Sequence, residues 1–557
     1  KHSIMSRRSI HESMPLTATF ARDPKSSTLV HVDRPTEGHG VAVGRAAIPR
    51  TRAAPMGLVA RGSGGDDGSA AGQARKKMRV SGAVPYDNER LATSILRRSK
   101  SLFVTGGGGV GKTELLLRVV QRYRDAREGS SNGMHVVAPT GVSAAVCKGV
   151  TIHAYLRLRA GCFDETISEM ADAKRLYRKM DVGTRNRLAH TSVLLVDEVS
   201  MVSSRMFTTL CYAINEAHKQ LNENGSWRAV VFGDFFQLPP VVKCDEDTYN
   251  VRGLYSFRSP YWTELFGREQ LKLRYVWRQE DIDFIQMLSR LRVGIVSDEM
   301  IAFLKQRHDA YAAEVEGGGV VDLDTTHIFP LRKSVVRHNN DCLLTMEVIQ
   351  GTKRMRYEAN DYPIGVNLSP AEVRKQLNAA LMAPAFLDVC VGARVAACAT
   401  LKDGLVPNGT IGVVRRFSQV PGGGFNGASK VVPIVEFNTP GGAETVEVVS
   451  VDMELRAVAH DGPYACRNQI PLVLAWAVTV HRCQGLTMDA AVLDLAPCFV
   501  CGMVYVALSR VRTMGGVHIM SFNRAKVSAD ARVAHFYSTQ ESVAWEFSSC
   551  VDSNCRA

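Results

Sequence analysis

The chain has 557 residues, enough on length alone for several domains with buried cores of their own. Hydrophobic residues make up 45% and charged residues 22%, which excludes wholesale disorder, a collagen-like repeat and a membrane-embedded protein. Lys and Arg number 68 against 55 Asp and Glu, a net charge of +13 that permits nucleic-acid binding without demonstrating it, and 13 scattered cysteines point to a reducing compartment, not to a disulfide scaffold.

Residues 1–82 hold most of the excess charge, with 14 Lys and Arg against 6 Asp and Glu. They show little apolar periodicity and end in a Gly/Ser/Ala run, Gly62 to Gly72, followed by ARKKMR at Ala74 to Arg79. Such a stretch cannot bury enough apolar surface to offset its ordering entropy, so a disordered basic tail is expected. A solvated linker, an organelle transit peptide and a basic nuclear-targeting or nucleic-acid patch all fit it. The chain opens on Lys1, not Met, so residues ahead of it are expected. No bilayer span is expected, because the longest uncharged apolar run, 470–480, falls well short of the ~20 residues required.

The first chemical motif follows the tail. Ser101-Leu-Phe-Val-Thr105 reads as a strand, GGGGVGKT at Gly106 to Thr113 as a glycine loop, and ELLLRVVQRY as a helix. This is G-x-x-x-x-G-K-[ST] in the strand–loop–helix context that gives the pattern its meaning. Gly106, Gly107, Gly108, Gly109, Val110 and Gly111 let backbone N–H groups wrap phosphates, and the helix N-terminus adds partial positive charge. Lys112 would reach the outer phosphates, and Thr113 would offer its hydroxyl to Mg²⁺. A chance match in a chain this long arises about once in fifty sequences of average composition.

Two further strand ends converge on the same chemistry. SVLLVDEVSM, Ser192 to Met201, ends an apolar run in Asp197 and Glu198, where a carboxylate is placed to hold a metal and its neighbour to polarise water. WRAVVFGDFFQLPPV, Trp227 to Val241, puts Asp234 and Gln237 directly after its apolar run, in position to sense a γ-phosphate.

In order, GGGGVGKT, VVAPTGVSAAVCKGVTIHAYL (Val136 to Leu156), VDEVSM and GDFFQLPPV resemble the Pif-type DNA helicases of superfamily one, relatives of the RecD proteins. VWRQEDIDFIQMLSRLRVG (Val276 to Gly294), RNQIPLVLAWAVTVHRCQGLTMDAAVLDL (Arg467 to Leu495) and GMVYVALSRVRTMGGVHIMSF (Gly502 to Phe522) extend the resemblance from about Tyr86 to Tyr537. The resemblance implies ATP and Mg²⁺ as cofactors, with Lys112 and Thr113 on phosphate and metal, Asp197 on Mg²⁺ and Glu198 as the general base. It implies that Gln237 couples γ-phosphate to the DNA site. It also implies that Arg278 and Arg510 insert from the second domain as charge stabilisers, a contribution worth about 10³–10⁵ in rate. Pro139, Thr140, His153, His481 and Thr487 would contact single-stranded DNA, and Phe235 and Phe236 would stack on bases at about 1–3 kcal/mol each. One departure stands out: related helicases carry a glutamine that reads adenine, and here Tyr86-Asp-Asn-Glu-Arg90 has none, leaving Asn88 or Glu89 as substitutes.

The fold expected from the resemblance is α/β: two RecA-like P-loop domains with parallel sheets, at 83–268 and 269–557, plus a small SH3-like β-barrel insertion near 412–466. A small wedge-like insertion is expected near 157–190 and a surface loop at 315–326. Cys498-Phe-Val-Cys501 and the pair Cys550 and Cys555 lack the second well-formed pair of a zinc site, and Cys244-Asp-Glu-Asp247 reads as a solvated loop. The expected function is an ATP-dependent DNA helicase or translocase acting 5′→3′ on single-stranded DNA and ss/ds junctions in replication, repair and recombination. The alternatives are a remodeller of RNA–DNA hybrids or G-quadruplexes and a non-catalytic DNA-binding scaffold. A monomer is expected, in the mitochondrion ahead of the nucleus.

Overall fold

The computed structural model describes residues 86–542 except 128–132, 159–161, 222–225, 241, 244–248, 251–254, 317–322, 366–367, 421–429, 440–441 and 457–462. The basic tail, all of Cys244–Asp247, the centre of the 315–326 loop, and Cys550 and Cys555 lie outside the described residues.

The first sheet is entirely parallel, in the order Glu541–Ser542, Glu269–Lys272, Leu102–Thr105, Arg228–Gly233, Val193–Val196, Met134–Ala138, Val150–Thr151. Its strands LFVT and VLLV are buried throughout because helices cover both faces. Their side chains divide with the period of two that a pleated strand imposes. Phe103, Leu194, Val196 and Val231 enter one core with the helices Glu169–Arg178, Val182–Ala189 and Ser204–Leu221. Leu102, Val104, Leu195, Val230 and Phe232 enter the other, beneath Asn88–Arg97 and the P-loop helix Lys112–Asp125.

Three expectations change here. The boundary at 268/269 cuts through this sheet, because Glu269–Lys272 pairs with Phe103–Thr105, and the far end of the chain returns as Glu541–Ser542. The helix Ala531–Ser538 comes back with it, since Val533 and Phe536 fill the first domain's core. The insertion near 157–190 is a pair of helices capped by Ser168 and Asp181 and fused to that core through Leu176, Tyr177, Met180 and Leu188.

The second sheet is also parallel, in the order Ala477–Thr479, Thr326–Phe329, Ala491–Asp494, Val517–Ser521. It packs Ile328, Leu493 and Ile519 against Ile282–Arg292, Asp298–Glu316 and Met503–Leu508. Leu238, from the QLPP segment of the first domain, is buried in this second core.

The β insertion is larger than 412–466. Antiparallel strands run from Met355 to Leu474 in separate sheets of two, three and five strands, not in one closed barrel. Tyr357 and Leu387 of the two-stranded sheet share a core with Val395, Val414 and Phe437 of the five-stranded sheet. Arg467, fully buried, ties this region together by a bidentate pair with Asp361 at 2.7 and 2.8 Å and a bond to the Ala383 carbonyl.

Candidate active site

The functional side chains leave the first sheet at the carboxyl ends of its strands, where parallel sheets bind ligands. Thr105 ends one strand and the P-loop follows. Gly109 adopts φ +78°, and a β-carbon there would lie 2.7 Å from Cβ of Arg278, so glycine is needed for both conformation and close approach. Lys112 is buried and its Nζ donates to the carbonyls of Gly106 and Gly107 at 2.7 and 2.9 Å. Burial lowers its pKa, opposed by the carboxylates of Asp234, Glu198 and Asp197.

Thr113 Oγ1 donates to Asp197 Oδ2 at 2.9 Å. Burial first, and the adjacent Glu198 second, push the Asp197 carboxyl up to about 7. A buried carboxylate pair with a hydroxyl beside it fits a divalent cation that takes its other ligands from phosphate and water. Thr113 and Asp197 would hold it. Among the described residues, no group of three or more His, Cys, Asp or Glu side chains could hold a metal.

The second domain supplies the other half of the site. Arg278 donates to Thr487 Oγ1 and the Ser509 carbonyl, both at 2.9 Å. Arg510, 2% exposed, donates to the Val506 carbonyl at 2.9 Å and to Ser509 Oγ at 2.7 Å. Among the described residues every partner of these two guanidiniums is a neutral oxygen. Burial, and then Arg510, push Arg278 down to about 9. The space around Gly108 is closed by Ser509 and Arg510, whose Nη2 would lie 3.3 Å from a β-carbon at that glycine. Two cations that form no direct ion pair among the described residues, standing over phosphate-binding glycines, make an anion site that spans both domains.

Four residues outside the predicted set join it. Tyr505 Oη accepts from the Gly108 amide at 2.7 Å. Gln484 Nε2 donates to Glu198 Oε2 at 2.8 Å. Arg292 grips Asp234 through two bonds at 2.7 and 2.8 Å and lies over the Phe236 ring at 4.7 Å. Tyr537 stacks on Phe236 and shares a hydrogen bond with Thr105 Oγ1 at 2.7 Å. Tyr505, Gln484 and Arg292 lie inside the segments that carry the resemblance, so their positions were visible even though their roles were not. Cavities of about 640 and 570 Å³ flank the loop, one lined by Gly106–Gly108 and Arg292, the other by Gly109, Trp277, Arg278 and Thr487.

A family model for PIF1-like helicases matches residues 88–301. The human ATP-dependent DNA helicase PIF1 is 30% identical over 473 residues, covering 83% of this chain and 65% of its own length. A crystal structure of Pif1 helicase from Candida albicans superposes with a TM-score of 0.68 at 26% identity, covering 82% of this chain and 99% of that one. The chain belongs to the PIF1-like helicase family. A Bacteroides Pif1 in complex with ADP-AlF3 and single-stranded DNA shares the fold, with a TM-score of 0.60 at 22% identity over 82% of this chain and 97% of that one. The chain spans 61% to 65% of the length of three curated PIF1 relatives.

Within this PIF1-like architecture the predicted DNA contacts separate. Pro139 and Thr140 leave the strand Met134–Ala138 at the same edge where His153 follows its parallel neighbour Val150–Thr151. Thr140 also caps the helix Gly141–Val146, accepting from the Ser143 amide. His481 follows the second-sheet strand Ala477–Thr479, stacks near Phe499, and is pushed down to about 4 by burial.

Four candidates are corrected. Phe235 and Phe236 are 1% and 8% exposed and cannot stack on bases. The loop after Gly233 turns Phe235 into a cluster with Phe103, Phe257, Trp262 and Phe536, and Phe236 into the contact with Tyr537 and Arg292. Thr487 binds Arg278 on the nucleotide side. Gln237 is buried with Nε2 directed at Asp234 at 3.4 Å, which ties it to the domain bridge.

In the upstream stretch Asp87 caps the helix Asn88–Arg97, and Glu89 is committed to Arg118 and Arg122. Asn88 Oδ1 is buried without a partner among the described residues, and Tyr86 Oη donates to the Val110 carbonyl of the P-loop.

Proposed function

We propose that this chain is an ATP-dependent DNA helicase that moves 5′→3′ on single-stranded DNA and opens duplex at ss/ds junctions, as a monomer serving genome maintenance. The observation that carries the reading is the pair Arg278 and Arg510, held by neutral oxygens of the second domain over the phosphate loop of the first. Phosphoryl transfer is catalysed mainly by positioning and charge, so a site split between two domains turns over when they close.

The chain's own groups divide the work. The P-loop amides and Lys112 bind the outer phosphates, Lys112 exchanging its bonds to Gly106 and Gly107 for phosphate oxygens. Mg²⁺ held by Thr113 and Asp197 would neutralise charge on the bridging phosphates. Glu198 takes a proton from the attacking water, and Arg278 and Arg510 stabilise charge as the terminal phosphoryl departs. Phosphate release removes what the two arginines bind, so closure is lost and the domains separate. Pro139, Thr140 and His153 on the first domain and His481 on the second are the DNA contacts that this motion would shift relative to one another.

Partial duplexes with a 5′ or a 3′ single-stranded tail test the reading directly. The 5′-tailed substrate should be opened in an ATP-dependent way, and Lys112→Ala should abolish opening. Equal opening without ATP, or by Lys112→Ala, would overturn it. The same motor would serve RNA–DNA hybrids and G-quadruplexes, and substituting those substrates in the assay ranks them. The basic segment 1–82 supports a mitochondrial address ahead of a nuclear one. A tagged chain lacking residues 1–80 should lose organelle location.

A further inference from the structure

Glu198 stands in an unusual backbone position. Its φ and ψ of 49° and 46° are left-handed, a conformation that costs a non-glycine residue about 1–2 kcal/mol and persists where surrounding groups hold it. Among the described residues its carboxylate makes one side-chain hydrogen bond, from Gln484 of the second domain.

Gln484 is delivered by a turn built for the purpose. The helix Val480–Cys483 stops after four residues, Gln484 is extended at φ −60° and ψ 133°, and Gly485 takes φ +86°. The two side chains meet inside the protein, Gln484 5% and Glu198 7% exposed. A carboxylate only accepts, so the amide nitrogen must face Glu198 and the amide oxygen must face away. That oxygen, Oε1, is buried and has no hydrogen-bond partner among the described residues. A buried acceptor left unmet costs about 1–3 kcal/mol, so its retention beside a general base calls for a use.

We infer that Gln484 is a positioning residue for hydrolysis, holding the Glu198 carboxylate and offering Oε1 to the second O–H of the attacking water. The inference rests on the reading of the chain as an ATP hydrolase. The water oxygen bonds to the γ-phosphorus and the bond to the β-bridging oxygen breaks, its electron pair leaving on ADP. One water proton passes to Glu198, and the other stays on the phosphate product, donating to Gln484 Oε1 throughout. Because Gln484 comes from the second domain, the base is aligned only while the domains are closed. An amide that orients water works alongside the arginines, which answer charge, and is separable from them.

The test is a double-mutant cycle on the full chain, read by single-turnover ATP hydrolysis with saturating oligo-dT. Gln484→Met keeps the volume and removes both hydrogen bonds. It should lower kcat about 10²-fold, leaving KM for ATP and ADP affinity within about twofold. In a Glu198→Gln background the same change should have no further effect. The isosteric Gln484→Glu loses the donor and should fall at least as far, which covers the case of a poorly folding Met variant. Gln484→Met within threefold of wild type, or an equal loss in both backgrounds, would overturn the proposal in favour of a domain-joining contact. A wild-type chain that hydrolyses no ATP with DNA present would overturn the hydrolase reading itself, and the proposal with it.

Discussion

Asp197 carries its charge at a cost. Its folded pKa, about 7, lies above the ordinary aspartate value because burial and Glu198 oppose ionisation. The folded state therefore holds a proton that the unfolded state has lost between about pH 4 and 7, and this group's contribution to stability declines as pH rises through that window. Asp197→Asn should consequently gain in Tm over wild type as pH rises from 4 to 7 and then level off. Added Mg²⁺ should narrow the difference, since only the carboxylate binds it. A gap that is flat with pH would contradict the assignment. Asp234 behaves oppositely: burial opposes its charge, but Arg292, joined by Lys112 and the Phe236 amide, holds its carboxyl down. Arg292→Ala would leave Asp234 buried and unpaired, costing about 3–5 kcal/mol by urea denaturation. The double change Asp234→Asn with Arg292→Met should recover most of that loss. At this scale the sequence showed Lys112, Thr113, Asp197 and Glu198 outright, because each follows an apolar strand in a spacing with one chemical meaning. It did not show that Phe235 and Phe236 face inward, because two aromatics after a strand serve a core and a base stack equally well. Only the packing of Phe536 and Tyr537, some 300 residues later, decides between them.

Among elements, the helix Ala531–Ser538 has the largest reach. It is the last helix among the described residues, yet it closes the first core, with Phe536 stacked on Phe257 at 4.3 Å and Tyr537 hydrogen-bonded at the end of the P-loop strand. Phe536→Ala should cost about 3–5 kcal/mol, with the loss appearing in the nucleotide domain, as seen by hydrogen exchange in the strands Leu102–Thr105 and Arg228–Gly233. Protection lost only in the second sheet would contradict this placement. The parallel strands were legible because LFVT, VLLV and AVVF are short apolar runs bounded by turn residues. The return of the C-terminus was not, because a strand as short as Glu541–Ser542 has no periodicity, and its partner Glu269–Lys272 reads as polar. The helices at 169–189 read as a polar insertion because their few buried apolar residues are spread over two short helices.

For the whole molecule, closure is set by how near the second domain can come. Gly502, at φ +77°, starts the helix that bears Tyr505 and leads to Arg510, and a β-carbon there would lie 2.5 Å from the Phe236 carbonyl and 2.7 Å from that of Gln237. Gly502→Ala should leave both sheets folded while pushing Tyr505, Ser509 and Arg510 off the P-loop. The expected result is about a 10²-fold loss of turnover with little change in ADP affinity. An unchanged rate would show that this approach is not needed. The basic charge of the whole chain had suggested a nucleic-acid partner, but it is the split of the phosphate site across two sheets that carries the proposal of a motor.

The most direct measurement of that central claim is ATP turnover with and without single-stranded DNA, run in parallel on wild type and Arg510→Ala, with nucleotide affinity measured on both. Among the described residues Arg510 donates only to neutral oxygens of its own domain, so its removal should leave the fold and the P-loop's own grip on nucleotide intact. DNA should stimulate the wild type strongly, and the variant should bind nucleotide equally well but turn it over at least 10³-fold more slowly, with no response to DNA. A variant that retains DNA-stimulated turnover near the wild-type rate would contradict a catalytic site completed by the second domain.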